Sequence, residues 1–61
     1  NMAPLCKDQA AIRYNTQTQL VDVNHFEQFQ ASYELSGRTG KNERFICSFD
    51  PDGQFMHLSM R

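Results

Sequence analysis

The side chains with the most chemical reach are two cysteines, Cys6 and Cys47, and two histidines, His25 and His57. Two cysteines in a short chain read first as one disulfide. The loop it closes is about 41 residues long, which the chain-entropy account values at about 4 kcal/mol. Two buried free thiols are the bland alternative, since cysteine is often simply buried. A redox pair does not fit, because the spacing is nothing like Cys-x-x-Cys. Zinc does not fit either. Structural zinc sites take their ligands in closely spaced pairs, and here the order Cys, His, Cys, His is scattered along the chain.

Other motifs are incomplete. Asp50-Pro51-Asp52-Gly53 has the opening of a calcium loop without its later ligands or closing glutamate, and it is a strong turn signal. Gly37-Arg38-Thr39-Gly40-Lys41 has the ending of a P-loop. The upstream glycine is missing and Asn42 stands where the hydroxyl residue is needed, so a solvated turn with two cations is expected. Ser48 has no base placed opposite it by the expected strand register. Glu27 and Glu34 lie on a strand's outer face with nothing to raise their pKa. Phe26 and Phe29 suggest base stacking only where cations cluster beside them, and here Lys and Arg are dispersed. No metal, no cofactor, no nucleic-acid partner and no enzymatic activity are expected.

The frame that must position these residues is small. A chain of 61 residues is one domain, 1–61. At this size chain entropy and burial nearly cancel, so a staple is usually needed. The apolar fraction is 39%, below the globular norm of roughly 45–50%, and five Phe and two Tyr must supply much of the core. A domain so thin rarely encloses a ligand cavity of about 300 Å³ or more. The net charge of −1 gives no basic surface for nucleic acid and no electrostatic membrane anchor. No apolar run reaches the roughly 18 residues of a membrane span. Asn1 before Met2 reads either as a vector-derived remnant or as the interior of a longer precursor whose export signal has been removed.

Residues 3–15 read as a helix, with Pro4 at its first position, Asp8 and Arg13 matched to the helix dipole, and Asn15 as its stop. Ala3, Cys6, Ala10 and Tyr14 form an apolar stripe that Leu5 and Ile12 widen. After a polar stretch over 16–19, Leu20, Val21 and Val23 suggest a short strand ending at Asn24 and His25. From Phe26 to Leu35 the period becomes two, with Phe29, Ala31, Tyr33 and Leu35 on one side. Ser36–Asn42 is a turn, Glu43–Asp50 a strand, and Gln54–Met60 the last strand. The sum is an α+β fold, one N-terminal helix packed on a meander of three or four antiparallel strands, with one disulfide.

In the register that sets Leu35 opposite Glu43, Ala31 faces Cys47 and leaves room for the Cys6 sulfur. A bulged loop at the Pro51 turn sets Phe49 opposite Phe55 and Cys47 opposite His57. That sends Met56, Leu58 and Met60 to the helix-free face beside Ile46. A two-residue loop sends them inward. The bulged form suits Pro51, and its consequence is an apolar outer patch of Ile46, Met56, Leu58 and Met60, a candidate interaction face.

Cys6, Ala10 and Tyr14 on the first helix, Tyr33-Glu34-Leu35-Ser36-Gly37, and the hairpin Cys47-Ser48-Phe49-Asp50 to Gly53-Gln54-Phe55 carry a resemblance. The chain resembles small exported proteobacterial proteins with a Cys-bearing N-terminal helix and a Cys-x-Phe-Asp-x-x-Gly-x-Phe hairpin. The resemblance implies a periplasmic or secreted module of unknown function, with no active site to transfer. The expected role is a non-enzymatic binding or interaction module, its partner a protein: a second copy or an envelope component. The alternative is a small inhibitor of an extracellular or periplasmic hydrolase, acting through the Gly37–Asn42 turn.

Overall fold

Helix α1 spans Met2–Arg13 in the computed structural model, which describes residues 1–61. Pro4 lies in its first turn, after Met2 and Ala3 and not at its first position. It is tolerated there because the opening N–H groups of a helix have no intrahelical acceptor to lose. The helix closes on a Schellman arrangement. Thr16 N–H donates to the Ala11 carbonyl, Asn15 N–H donates to that of Ile12, and Asn15 takes a left-handed φ of 54°. The buried stripe is narrower than expected. Only Cys6, Ala10 and Ala11 are buried. Ile12 is 75% exposed, because it stands about 200° around the helix from Ala10. Leu5, a little over a quarter-turn from Cys6, stays at the exposed rim.

After a 3-10 turn at Thr18–Leu20 come strands β1 (Val21–Gln28), β2 (Tyr33–Thr39), β3 (Arg44–Phe49) and β4 (Phe55–Met60). They form one antiparallel sheet in the order β1-β2-β3-β4. The fold class is the expected one, a helix on a four-stranded meander, but two connections lie elsewhere. The period-two stretch from Phe26 to Leu35 is two strands, not one. Phe29 N–H donates to the Ser32 carbonyl at 2.8 Å and closes a tight connection without Gly or Pro. Asn24-His25 is not a strand end. The β1–β2 register shifts between Val23 and His25, so Asn24 is the extra residue of a bulge.

The other correction is the β2–β3 turn, confined to residues 40–43. Its geometry repeats that of the Pro51 hairpin. In each, the residue before the loop (Thr39, Asp50) pairs by backbone with the one after it (Glu43, Gln54). Its side-chain oxygen accepts two further N–H groups, from Lys41 and Glu43 or from Asp52 and Gln54. Its carbonyl accepts from a left-handed residue, Asn42 or Gly53. Both are three-residue loops with a bulge. The shorter β2–β3 loop moves the register four residues. Tyr33 pairs with Phe49, Leu35 with Cys47 and Gly37 with Phe45. Because the shift is even, each residue keeps its expected face. Ala31 plays no part beside Cys47.

The helix-facing side holds Val21, Leu35, Phe45, Cys47, Phe49 and Leu58, which join Cys6, Ala10 and Ala11 in the core. Phe45 and Phe49 are the largest fully enclosed side chains, and Phe49 meets Phe55 edge-on, with ring centres 5.6 Å apart. Phe26 and Phe29 remain largely exposed. The core is thus less aromatic than composition suggests.

Gly37 sits inside β2 where the bulge of β1 leans in. A Cβ there meets the Asp22 carbonyl and the Val23 backbone, which is why a glycine interrupts the strand. Gly37→Ala is expected to lower stability by about 1–3 kcal/mol, at roughly 4–8 °C of Tm per kcal/mol in a domain this small. Gly40→Ala, whose Cβ meets Leu20 at an ordinary 3.6 Å, leaves Tm nearly unchanged. Thermal melts of the two variants, followed by circular dichroism, check this.

Candidate functional site

Helix and sheet are joined at Cys6 and Cys47, which form a disulfide across a sequence separation of 41. Their Cα atoms are 5.8 Å apart, within the range that bridged cysteines occupy. Both residues are 0% exposed. Cys47 lies between Leu35 on β2 and Leu58 on β4, and the Cys6 sulfur is 3.9 Å from the Leu35 carbonyl oxygen. Room for the bridge comes from the helix, where Ala10 presents only a methyl group one turn below Cys6. With both sulfurs in the disulfide, neither is a zinc ligand.

A second attachment holds the far end of α1. The Tyr14 hydroxyl donates to the Arg44 carbonyl at 3.0 Å, and its ring lies 6.2 Å from that of Phe45. Burial pushes the Tyr14 phenol above its ordinary value of 10.0; the Glu43 carboxylate adds to the rise and Arg13 offsets part of it.

The four residues of the expected apolar patch part company. The β3–β4 register shifts between Ser48 and Phe49, which makes Met56 the extra residue of a bulge. Phe49 still faces Phe55, but Cys47 faces Leu58, not His57. Leu58 is therefore in the core at 9% exposure. Met60 pairs with Phe45 on the helix-facing side yet is 60% exposed, and Met56 is 48% exposed. Ile46 alone lies on the helix-free face, between Ser36 and Ser59. That face is otherwise polar.

The same register sets Ser48 between Glu34 and His57, a row the sequence reading missed because it placed His57 opposite Cys47. A charge relay needs the imidazole between hydroxyl and carboxylate; here the hydroxyl is in the middle. His25 is engaged with Glu27, Nε2 to Oε1 3.5 Å, in the open. The Asp50 carboxylate accepts two backbone N–H groups at 2.9 Å, so it is spent on its hairpin. No three His, Cys, Asp or Glu side chains converge.

The sequence matches the family described as YsaB-like lipoprotein over residues 1–61. It is 66% identical over its whole length to a protein named uncharacterized lipoprotein YsaB from Escherichia coli strain 536. It has the same identity to proteins of that name from Escherichia coli K12 and Shigella flexneri. The chain spans 66% of the first relative's length and 62% of the other two. No solved structure matches it.

Two outcomes follow from the two attachments. Without reductant, intact mass is expected to be lower by two hydrogens, and Cys6→Ala/Cys47→Ala is expected to lose about 4 kcal/mol of stability in a denaturant titration. Equal masses with and without reductant would refute the bridge. Tyr14 is expected to ionise above pH 10. Its contribution, whole below that value, is lost as pH rises through the raised pKa of the folded state. Ultraviolet titration of the wild type and Tyr14→Phe checks this: the late-ionising phenol disappears in the variant, along with part of the alkaline loss of stability.

Proposed function

The chain belongs to the YsaB-like lipoprotein family, and from that premise we propose that it is the folded body of an exported, envelope-anchored protein that faces the periplasm and works as a non-enzymatic binding module. The observation that carries this reading is the fully enclosed Cys6–Cys47 bridge. Disulfides persist in oxidising compartments and are rare in the cytosol. Relatives that carry lipoprotein in their names agree with such a location.

The contact surface in this reading is the outer edge of β4. It is an edge strand, and the edge of a sheet offers unpaired backbone groups to a partner. Exposed Met56 and Met60 supply adaptable apolar contacts along it. The partner is a protein, either a second copy or an envelope component. Leu58 belongs to the core and takes no part, and Ile46 lies one strand inward, on the helix-free face of β3.

The location is tested on the full-length gene product in cells, by membrane fractionation and thiol labelling before and after reductant. Membrane association with both thiols labelled only after reduction is expected; a cytoplasmic protein with free thiols overturns the reading. The surface is tested by Met56→Glu/Met60→Glu. Light scattering of that variant should lose a defined species while circular dichroism stays unchanged, and photo-crosslinking in cells from position 60 should lose the same species when Met56→Glu is added. If the wild type is monomeric and yields no crosslinked protein, the β4 edge is not a contact surface.

A further inference from the structure

The helix-free face carries a row of three arginines. Arg38 on β2 and Arg44 on β3 are direct cross-strand partners. Arg61 follows β4, and its N–H donates to the Arg44 carbonyl at 2.9 Å, which places it one strand further along the same rung. Like charges directly opposite one another are unfavourable in a sheet. Acidic neighbours normally relieve such a row, yet none of the three guanidinium groups is in an ion pair; the chain's one such contact is His25 to Glu27. Asp22 is the β1 partner of Arg38, but its carboxylate accepts from the Asn24 amide at 3.4 Å. The Arg38 guanidinium donates only to the Asn42 side-chain oxygen, at 3.3 Å.

The three arginines also line one cleft of ≈ 390 Å³ with Asn24, Ser36 and Ile46 and the backbone about Gly37 and Phe45. Every polar side chain on its wall has an N–H or O–H to donate, and no Asp or Glu side chain is among them. The rung is also held in place. The Arg44 carbonyl accepts both the Tyr14 hydroxyl and the Arg61 N–H, so the helix fixes the backbone from which the cleft is built. Charge is segregated along the sheet as well. Arg38, Lys41, Arg44 and Arg61 gather at one end and outnumber the two carboxylates there, Asp22 and Glu43, while Glu27, Glu34, Asp50 and Asp52 lie towards the other. A net charge of −1 hides this polarity.

We propose that this cleft binds a phosphate group, with Arg38, Arg44 and Arg61 as its cationic clamp and Asn24 and Ser36 as neutral donors. Phosphate suits it for two reasons. Guanidinium forks match pairs of phosphate oxygens, and three of them offer more charge than a single carboxylate neutralises. Ile46 gives the cleft one apolar side, which accommodates the organic part of a phosphate ester. The site is independent of the β4 edge and does not rest on the proposed contact role.

The test uses the folded wild-type chain, Arg38→Gln/Arg44→Gln, and Lys7→Gln as a charge-loss control on the helix. Binding is followed by NMR, from arginine side-chain N–H and from Asn24 and Ser36 amide shifts, with inorganic phosphate, glycerol 3-phosphate and chloride as probes. Flotation with vesicles of phosphatidylglycerol or phosphatidylcholine supplies the lipid arm. Saturable shifts with phosphate or its ester, absent with chloride and weakened at least about tenfold in the double variant, establish a site for soluble phosphates. Flotation with phosphatidylglycerol alone, abolished in the double variant and kept in Lys7→Gln, establishes a headgroup site instead. In phosphate-free buffer the double variant should melt no lower than the wild type, because a repulsive rung has been relieved. No variant-sensitive binding in either arm, or a large drop in that melting temperature, overturns the proposal.

Discussion

The disulfide is the constraint on which the rest of the molecule depends. Helix α1 has few fully buried side chains with which to hold the sheet; Met2 and Tyr14 pack against the core only in part. It buries Cys6, Ala10 and Ala11, and at roughly 0.8 kcal/mol per methylene-sized group two alanine methyls give less than half of the about 4 kcal/mol assigned to the cross-link. The same small residues let the helix lie close enough for the sulfurs to meet. Once Cys6 is fixed to Cys47, Tyr14 arrives two turns further on, over the start of β3, and donates to the Arg44 carbonyl. One covalent and one hydrogen-bonded attachment then set the helix axis.

The sheet is shaped by residues that do not pair. Asn24 in β1 and Met56 in β4 are each the odd residue of a bulge. The second decides what is core. Because the side-chain period is two, one added residue moves every later side chain to the other face. Met56 takes up that residue, so Leu58 packs beside Cys47 and His57 stands outside next to Ser48. The first bulge brings the Asp22 carbonyl against β2, where Gly37 alone leaves it room.

Much of this was legible in the chain. The cysteine pair, the helix with its Asn15 stop, the Pro51 hairpin with Phe49 facing Phe55, and the antiparallel meander are local or counting signals, and the structure contains them. What was not legible depends on pairing. Phe29–Ser32 turns without Gly or Pro, so an alternating pattern ran on through it. Thr39 reads as turn because Gly37 and Gly40 flank it. Its role, a side chain that accepts N–H groups as Asp50 does, has no distinctive sequence signal. The loop bulge at Pro51 is legible, but the second bulge, at Met56 inside β4, is not, and without it Leu58 falls on the wrong face and Ser48 is parted from His57. The arginine row was invisible for the same reason. Arg38 and Arg44 stand on either side of a turn and Arg61 at the end of β4, and the three meet only once the registers of β2, β3 and β4 are known.

That row bears on how the fold distributes its stability. Opposed like charges on neighbouring strands cost about 0.2–1 kcal/mol per pair, a sizeable sum for a domain whose burial and entropy nearly cancel. Exposure to water limits the cost, and salt within a Debye length of about 8–10 Å screens it further. The cross-link, worth several times as much, lies in the same β3 strand as Arg44. A sheet with a covalent anchor in its middle tolerates a repulsive rung at its end, where a sheet held by three small helix residues alone has far less margin. Staple and unneutralised charge are thus linked through β3: the first gives the strand the stability that lets the second stand open to solvent.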